Sequence, residues 1–158
     1  MGSTHLSTLA LIHVIISLIG IVAGLFVVFG FLKPGKPGLM NTTFLLFTIL
    51  TSITGFIFFP FRGVTPGIVV GIISLGLLIL ALIALKKKHT NTYIISATFA
   101  EFFNVLVLIV QSFQKIPALN KLAPTGKEPN VGICQLVVLI GFIVVMVLAI
   151  RKKAYVLG

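Results

Sequence analysis

The sequence predicts an all-α integral membrane protein: a bundle of five transmembrane helices that forms a single domain of residues 1–158. The first observation is composition, because 58% of the residues are hydrophobic and 9% are charged. In a soluble domain about a quarter of the residues are charged. The second is that the apolar residues form five runs, each long enough for ~30 Å of hydrocarbon. The third is that basic residues stand between or after these runs, as in loops that set membrane topology.

The five runs are separated by proline-containing or basic segments. The first ends at a repeated Lys-Pro-Gly unit, where proline cannot continue a helix. The second ends at Pro60, and the third and fifth end at basic clusters. The runs are Leu6–Leu32, Thr43–Phe59, Gly67–Leu85, Tyr93–Phe113 and Val131–Ile150. The second run is the shortest, so the alternative is that it forms one broken hairpin with the third, which would leave four spans.

The distribution of basic residues predicts an outer N-terminus and a cytoplasmic C-terminus. With this orientation eight basic residues face the cytoplasm: Lys33, Lys36, Lys86, Lys87, Lys88, Arg151, Lys152 and Lys153. Four face the outer side: Arg62, Lys115, Lys121 and Lys127. The cytoplasmic excess follows the positive-inside rule. Although the net charge is +10, we expect these residues to contact anionic lipid headgroups and not nucleic acid.

Small residues predict where helices approach one another closely. Gly20 and Gly24 in the first span form a GxxxG pair, as do Gly67 and Gly71 in the third. Such pairs allow two helix backbones to come together in a membrane. We expect both pairs to pack within the bundle, and the alternative is that they form a dimer face.

The polar segment of residues 115–130, here called loop 115–130, is predicted to cap the outer end of the bundle. Pro117 suits the first turn of a short helix. Three apolar residues follow a three-residue spacing: Ile116, Leu119 and Leu122. A helix of this kind would lie in the membrane interface. Lys115, Pro117 and Glu128 would then line the outer mouth of a site, unless the segment is only a connection between spans.

The fourth span carries a polar stripe that includes an acid. Its members lie at offsets of 0, 3, 10 and 14, on one face of a helix: Glu101, Asn104, Gln111 and Lys115. Glu101 would lie about 12 Å inside the membrane, where an ionised carboxylate is costly. No basic residue occurs at that depth in any span. We therefore predict a protonatable, largely neutral Glu101 that faces the bundle or a water-filled cavity.

His13 is the second titratable residue expected inside the membrane, about 10 Å from the outer side. If the first and fourth spans are neighbours, His13, Asn104 and Glu101 form one polar path, which Gln111 extends. Paths of this kind carry protons or ions in many membrane proteins. The alternative is that His13 and Asn104 only hydrogen-bond neighbouring helices.

The residue patterns of enzymes and cofactor sites are missing from the sequence. Glu101 is in a span and Glu128 is in a loop, so no carboxylate pair is available for acid–base catalysis. The histidines are too dispersed for zinc or for haem held by two of them: His5, His13 and His89. Cys134 is the only cysteine, which excludes an internal disulfide. We predict no enzymatic activity, no metal and no cofactor.

Parts of the sequence resemble a family of small multi-span inner-membrane proteins of bacteria. The segments are TSITGFIFFPF (Thr51–Phe61), VVGIISL (Val69–Leu75) and NVLVLIVQSFQKIPALNKLAPT (Asn104–Thr125), followed by Glu128-Pro129. The resemblance extends over nearly the whole chain and implies a bacterial inner-membrane protein. It comes with no activity, substrate or ligand. Asn104, Gln111 and Lys115 fit the family pattern, whereas an acid at position 101 is not general in it.

Three functional hypotheses follow from these observations. The first is a polar path or site for protons, a cation or a small polar solute, formed by Glu101, Asn104, Gln111 and His13. It requires the first and fourth spans to meet around a cavity. The second is a structural or accessory subunit that associates with itself or with a larger membrane complex. The third is a binder of lipid, quinone or haem with His13 near the ligand.

Overall fold

The computed structural model describes residues 2–57 and 66–158 of the chain. Within these residues the helices are α1 (Gly2–Gly30), α2 (Leu39–Ile57), α3 (Pro66–Lys87), α4 (Thr90–Lys115), α5 (Pro117–Asn120) and α6 (Pro129–Lys152). All except α5 are long and apolar enough to cross a membrane. The predicted all-α membrane bundle with five spans is therefore confirmed, and the second and third spans are separate helices. Pro60 and Arg62 lie outside the described residues.

The start of the second span differs from the sequence prediction. α2 begins at Leu39, four residues before the expected Thr43. The reason is that Asn41, a polar residue that precedes the predicted run, is a buried helical residue. Its side-chain oxygen accepts a hydrogen bond from the hydroxyl group of Tyr93, at the start of α4. Because the polar group of Asn41 is satisfied inside the bundle, α2 extends through it.

α4 occupies the centre of the bundle. It contacts α1, α3 and α6, whereas α1 packs mainly on α2 and α6 packs mainly on α4. Small side chains on α4 permit this packing, because Ser96, Ala97 and Ala100 are fully buried. As a result α4 is the most buried span and α6 is the most exposed one.

Three segments meet at one end of the bundle: the α1–α2 loop, the α3–α4 turn and the chain after α6. The backbone N–H of Val156 donates to the carbonyl of Gly35 at 3.1 Å. Phe31 is fully buried and packs edge-on against the rings of Tyr93 and Tyr155, with centroid distances of 5.8 and 4.8 Å. The eight basic residues assigned to the cytoplasm lie in these three segments or in the last turns of α3 and α6 that lead into them. We call this the basic end.

Loop 115–130 closes the opposite end. Pro117 is the first residue of the short helix α5, as the sequence predicts. The chain then turns so that Ala123 is fully buried in a cluster with Phe113 and Val131. The loop therefore packs onto the ends of α4 and α6.

The two glycine pairs have different surroundings. A Cβ atom added at Gly20 would lie 3.4 Å from backbone atoms of Phe47, so α1 and α2 cross closely at this glycine. In the third span Gly67 is exposed, and a Cβ atom at Gly71 would lie 3.6 Å from the Phe56 ring, an ordinary contact. The expected close approach is not found at the second pair, because the Phe56 ring keeps the backbones apart.

Candidate functional site

Glu101 lies fully buried where α1, α2 and α4 meet. Its carboxyl group rests against the backbone of Gly24, because a Cβ atom added there would overlap Oε2 and Cδ of Glu101. The same atom would lie 2.8 Å from Cδ2 of Phe44 on α2. Gly24 thus provides the space for the carboxyl group by having no side chain. The expected meeting of the first and fourth spans occurs at this contact.

The two carboxyl oxygens of Glu101 have different environments. Oε2 accepts a hydrogen bond from Nδ2 of Asn104, one turn further along α4, at 3.3 Å. Oε1 is buried and has no hydrogen-bond partner within the described part of the chain. A buried oxygen normally has a partner, so this one marks a position where a proton or a ligand can bind.

Asn104 connects the carboxyl group to α2. Its Nδ2 atom also donates to Oγ1 of Thr48 at 3.2 Å, and Thr48 is fully buried. An amide group presents both donors and an acceptor, so a half-turn would offer Oδ1 to a protonated carboxyl group. Asn104 is therefore able to hydrogen-bond Glu101 in either protonation state.

His13 belongs to a different part of the α1–α2 interface. Its Nδ1 atom is 2.7 Å from Oγ1 of Thr54, and that hydroxyl donates to the carbonyl of Leu50 at 2.7 Å. Because a hydroxyl has one proton, Nδ1 of His13 carries the hydrogen in this arrangement. Along α1 His13 is about 16 Å from Gly24. The structure therefore does not bring His13 to the Glu101 carboxyl group, contrary to the expected single path.

The outer members of the polar stripe also lie away from the site. Gln111 and Lys115 are exposed, and Gln111 lies about 15 Å along α4 from Glu101. Helical periodicity places residues on one face but does not fix their depth, and both residues are near the end of the helix, where water is accessible. Of the predicted set, Glu101 and Asn104 are in direct contact. Lys115, Pro117 and Glu128 are all in loop 115–130.

Small and polar residues on one face of the second span, Thr48 among them, predict a helix contact there, and Thr48 is buried in it. Two other buried residues of α2 were not predicted: Asn41 and Phe44. A signal for Asn41 was present, because it lies seven residues before Thr48 and shares its face of α2. Phe44 is fully buried beside Gly24, and nothing in an apolar helix distinguishes such a residue from its neighbours.

Two apolar pockets in the described residues do not include Glu101 in their linings. One is a narrow crevice between α4 and α6, and the other is a groove of about 220 Å³ between α1 and α6. Apolar side chains line both, with Thr98 the only polar one. Glu101 itself has no exposed surface, so it is enclosed by protein and does not border the open cavity that the first hypothesis expects.

The second acid, Glu128, organises loop 115–130. Its Oε1 atom accepts hydrogen bonds of 2.9 Å from both the backbone N–H and the hydroxyl of Thr125. Its Oε2 atom accepts from the backbone N–H of Lys127 at 3.0 Å. These donors, the Thr125 amide first among them, lower the pKa of Glu128 from its ordinary value.

The lowered pKa predicts how the loop responds to acid. The folded loop hydrogen-bonds the charged carboxylate, so ionised Glu128 stabilises the folded loop. This stabilisation is fully present above the ordinary pKa of Glu, about 4.3. The stabilisation is lost as the pH falls through the lower, folded value. We expect the amide NMR signals of Thr125 and Lys127 to titrate with a midpoint below the ordinary one. In Glu128→Gln they should not titrate there, and an unshifted midpoint in the native protein would contradict the prediction.

Comparisons with known proteins do not assign the chain. No family model, curated protein or solved structure matches it. Because a helical bundle by itself does not specify an activity, function has to be argued from the site. That site is a single buried carboxyl group with one amide partner, seated on a glycine between three membrane-spanning helices.

Proposed function

We propose that this protein carries protons across the membrane and that Glu101 is the group that binds them. The observation that supports this most directly is the fully buried carboxyl group with one oxygen that has no partner in the described residues. Ionisable residues inside a membrane most often serve ion or proton transfer, because their burial is costly. The nearest polar group is an amide and not a cation, so a proton is the simplest ligand for this carboxyl group.

The enclosure of Glu101 favours an alternating mechanism over an open pore. Glu101 has no exposed surface, so α1, α2 and α4 must separate before water on either side can exchange a proton with it. In this proposal the protonated, neutral form is the one that closes, since a neutral group is less costly to enclose. Gly24 lets α1 close directly over the carboxyl group. Such a cycle gives slow, saturable transport instead of channel-like conduction.

Asn104 and Thr48 have a supporting role in this mechanism. In the enclosed, protonated form the amide N–H group of Asn104 donates to Oε2, and Oε1 carries the proton. When the proton leaves, the same N–H group donates to the carboxylate. His13 is a separate proton-exchange group on the half of the bundle nearer loop 115–130. The resemblance to small bacterial inner-membrane proteins and the positive-inside rule support an inner-membrane location with the basic end in the cytoplasm.

Proton flux into liposomes tests the proposal. A membrane potential that is negative inside is applied to vesicles that contain the protein and a trapped pH dye. Acidification of the vesicle interior is then followed. We expect Glu101→Gln to reduce the flux to that of protein-free vesicles, because an amide cannot release a proton. Glu128→Gln is the matched control, since it removes the only other acid of the chain with the same substitution, and it should retain the flux.

Two results would exclude the proposal. One is equal flux for Glu101→Gln and the native protein. The other is native flux no greater than that of protein-free vesicles over a range of pH. The thermal unfolding of both variants should be measured in detergent. A loss of flux is then interpreted only for a variant that remains folded.

A further inference from the structure

The groove between α1 and α6 lies at the outer surface of the bundle, with Phe29 and Gly141 exposed in it. Six residues line it: Val28, Phe29, Val138, Gly141, Phe142 and Val145. All are apolar, and the groove has a volume of about 220 Å³. A Cβ atom added at Gly141 would meet no other atom within 4 Å, so this glycine leaves the groove deep in its middle. The shape and chemistry fit a hydrocarbon chain.

The groove leads to the basic end. α1 continues from Phe29 into the turn that contains Lys33. On α6, Lys152 lies seven residues after Val145 and eleven after Gly141, so the three share one stripe of the helix. Lys152 is about 10 Å beyond Val145 along the axis. A lysine on each side therefore stands where the groove reaches the membrane surface.

These two lysines are available to bind an anion. Both are exposed, and neither ammonium group makes a hydrogen bond or an ion pair within the described residues. No acidic side chain is close, because Glu101 is in the middle of the bundle and Glu128 is in loop 115–130. The segments that follow the two lysines are joined, since the N–H of Val156 donates to the carbonyl of Gly35 and Tyr155 packs on Phe31.

We propose that this groove is a binding site for an anionic phospholipid, with one acyl chain between α1 and α6 and the phosphate held by Lys33 and Lys152. The apolar groove alone would accept the chain of any lipid. The two lysines add the selection for negative charge, which attracts basic residues at a membrane surface. The combination distinguishes the site from the remaining lipid-facing surface, and it does not depend on the proposed proton transport.

A tryptophan introduced into the groove gives a direct measurement. The chain has no tryptophan, so Phe29→Trp provides a single reporter at an exposed lining position. The variant is placed in phosphatidylcholine vesicles that contain a small fraction of phosphatidylglycerol or phosphatidylcholine with brominated acyl chains. Bromine quenches tryptophan on contact, so the two quenching curves give the relative affinity of the groove for the two lipids.

We expect the brominated anionic lipid to quench at the lower mole fraction. Lys33→Gln and Lys152→Gln should each reduce that preference roughly fivefold, because each removes one basic contact. The matched control, Lys86→Gln with Lys87→Gln, removes two charges at the same end but away from the groove, and should keep the preference. Gly141→Leu should exclude both lipids, whereas Gly132→Leu, which also has open space around it on α6, should not.

Equal quenching by the two lipids would overturn the proposal, because it indicates ordinary lipid contact only. A preference that persists in the double variant of Lys33 and Lys152 would also overturn it. Absence of quenching by either lipid, together with cross-linking of Cys134 between two chains, would show that a second copy covers this face. Addition of salt should weaken the preference in the native sequence, as expected for an interaction between charges.

Discussion

Replacing Phe31 with alanine is expected to lower the free energy of unfolding by about 3–5 kcal/mol, the range for deletion of a fully buried phenyl ring. Phe31 is 0% exposed and lies between the rings of Tyr93 and Tyr155. Its loss would leave a cavity at the point where the α1–α2 loop, α4 and the segment after α6 are joined. The variant should therefore unfold at lower temperature and expose the segment after Lys152 to protease.

The matched control is Phe26→Ala on the same helix. Phe26 is 66% exposed, so in a membrane its ring contacts lipid, and lipid chains can fill the space that it leaves. We expect little change in the unfolding temperature of this variant in the same detergent. If the two substitutions have equal effects, the aromatic cluster does not stabilise the basic end.

Alanine at position 24 is expected to destabilise the bundle by about 1–3 kcal/mol, because one added methyl group overlaps a packed interior. The added methyl group would overlap atoms of the Glu101 carboxyl group and of the Phe44 ring. Helix propensity would act in the opposite direction, since alanine favours a helix over glycine by about 1 kcal/mol. A net loss of stability therefore reports the overlap itself.

A double variant separates this overlap from other effects of the substitution. Glu101→Ala removes the carboxyl group, so Gly24→Ala should cost less in that background than in the native one. Gly30→Ala provides the control on α1, because an added Cβ there meets no atom within 4 Å. The measurement is thermal unfolding in detergent. Independent effects of Gly24→Ala and Glu101→Ala would show that the two residues are not in contact.

The sequence predicted the features that depend on the membrane as a solvent. The length of each apolar run and the position of the basic clusters are local properties, and a bilayer imposes them directly. The burial of Glu101 followed from the same reasoning, because contact between an ionised carboxylate and lipid is energetically costly. These predictions needed no knowledge of which helices are neighbours.

The features that the sequence did not predict depend on how the helices are placed against one another. Gln111 and Glu101 share one face of α4, but only Glu101 lies between other helices. Gly24 and Gly71 belong to identical GxxxG patterns, and the side chain opposite each one decides whether it is a close contact. The bond between Asn41 and Tyr93 joins residues 52 positions apart. Such pairings follow from the depth and rotation of whole helices, which periodicity does not specify.

The seating of the Glu101 carboxyl group on Gly24 also limits how this protein can evolve. A side chain at position 24 costs stability while Glu101 is present, so loss of the acid is expected to precede a gain in size at position 24. A lineage that loses the acid becomes free to acquire a side chain there. Return of the glutamate would then cost stability unless glycine returned first. Glycine at position 24 is therefore expected in descendants that keep the acid.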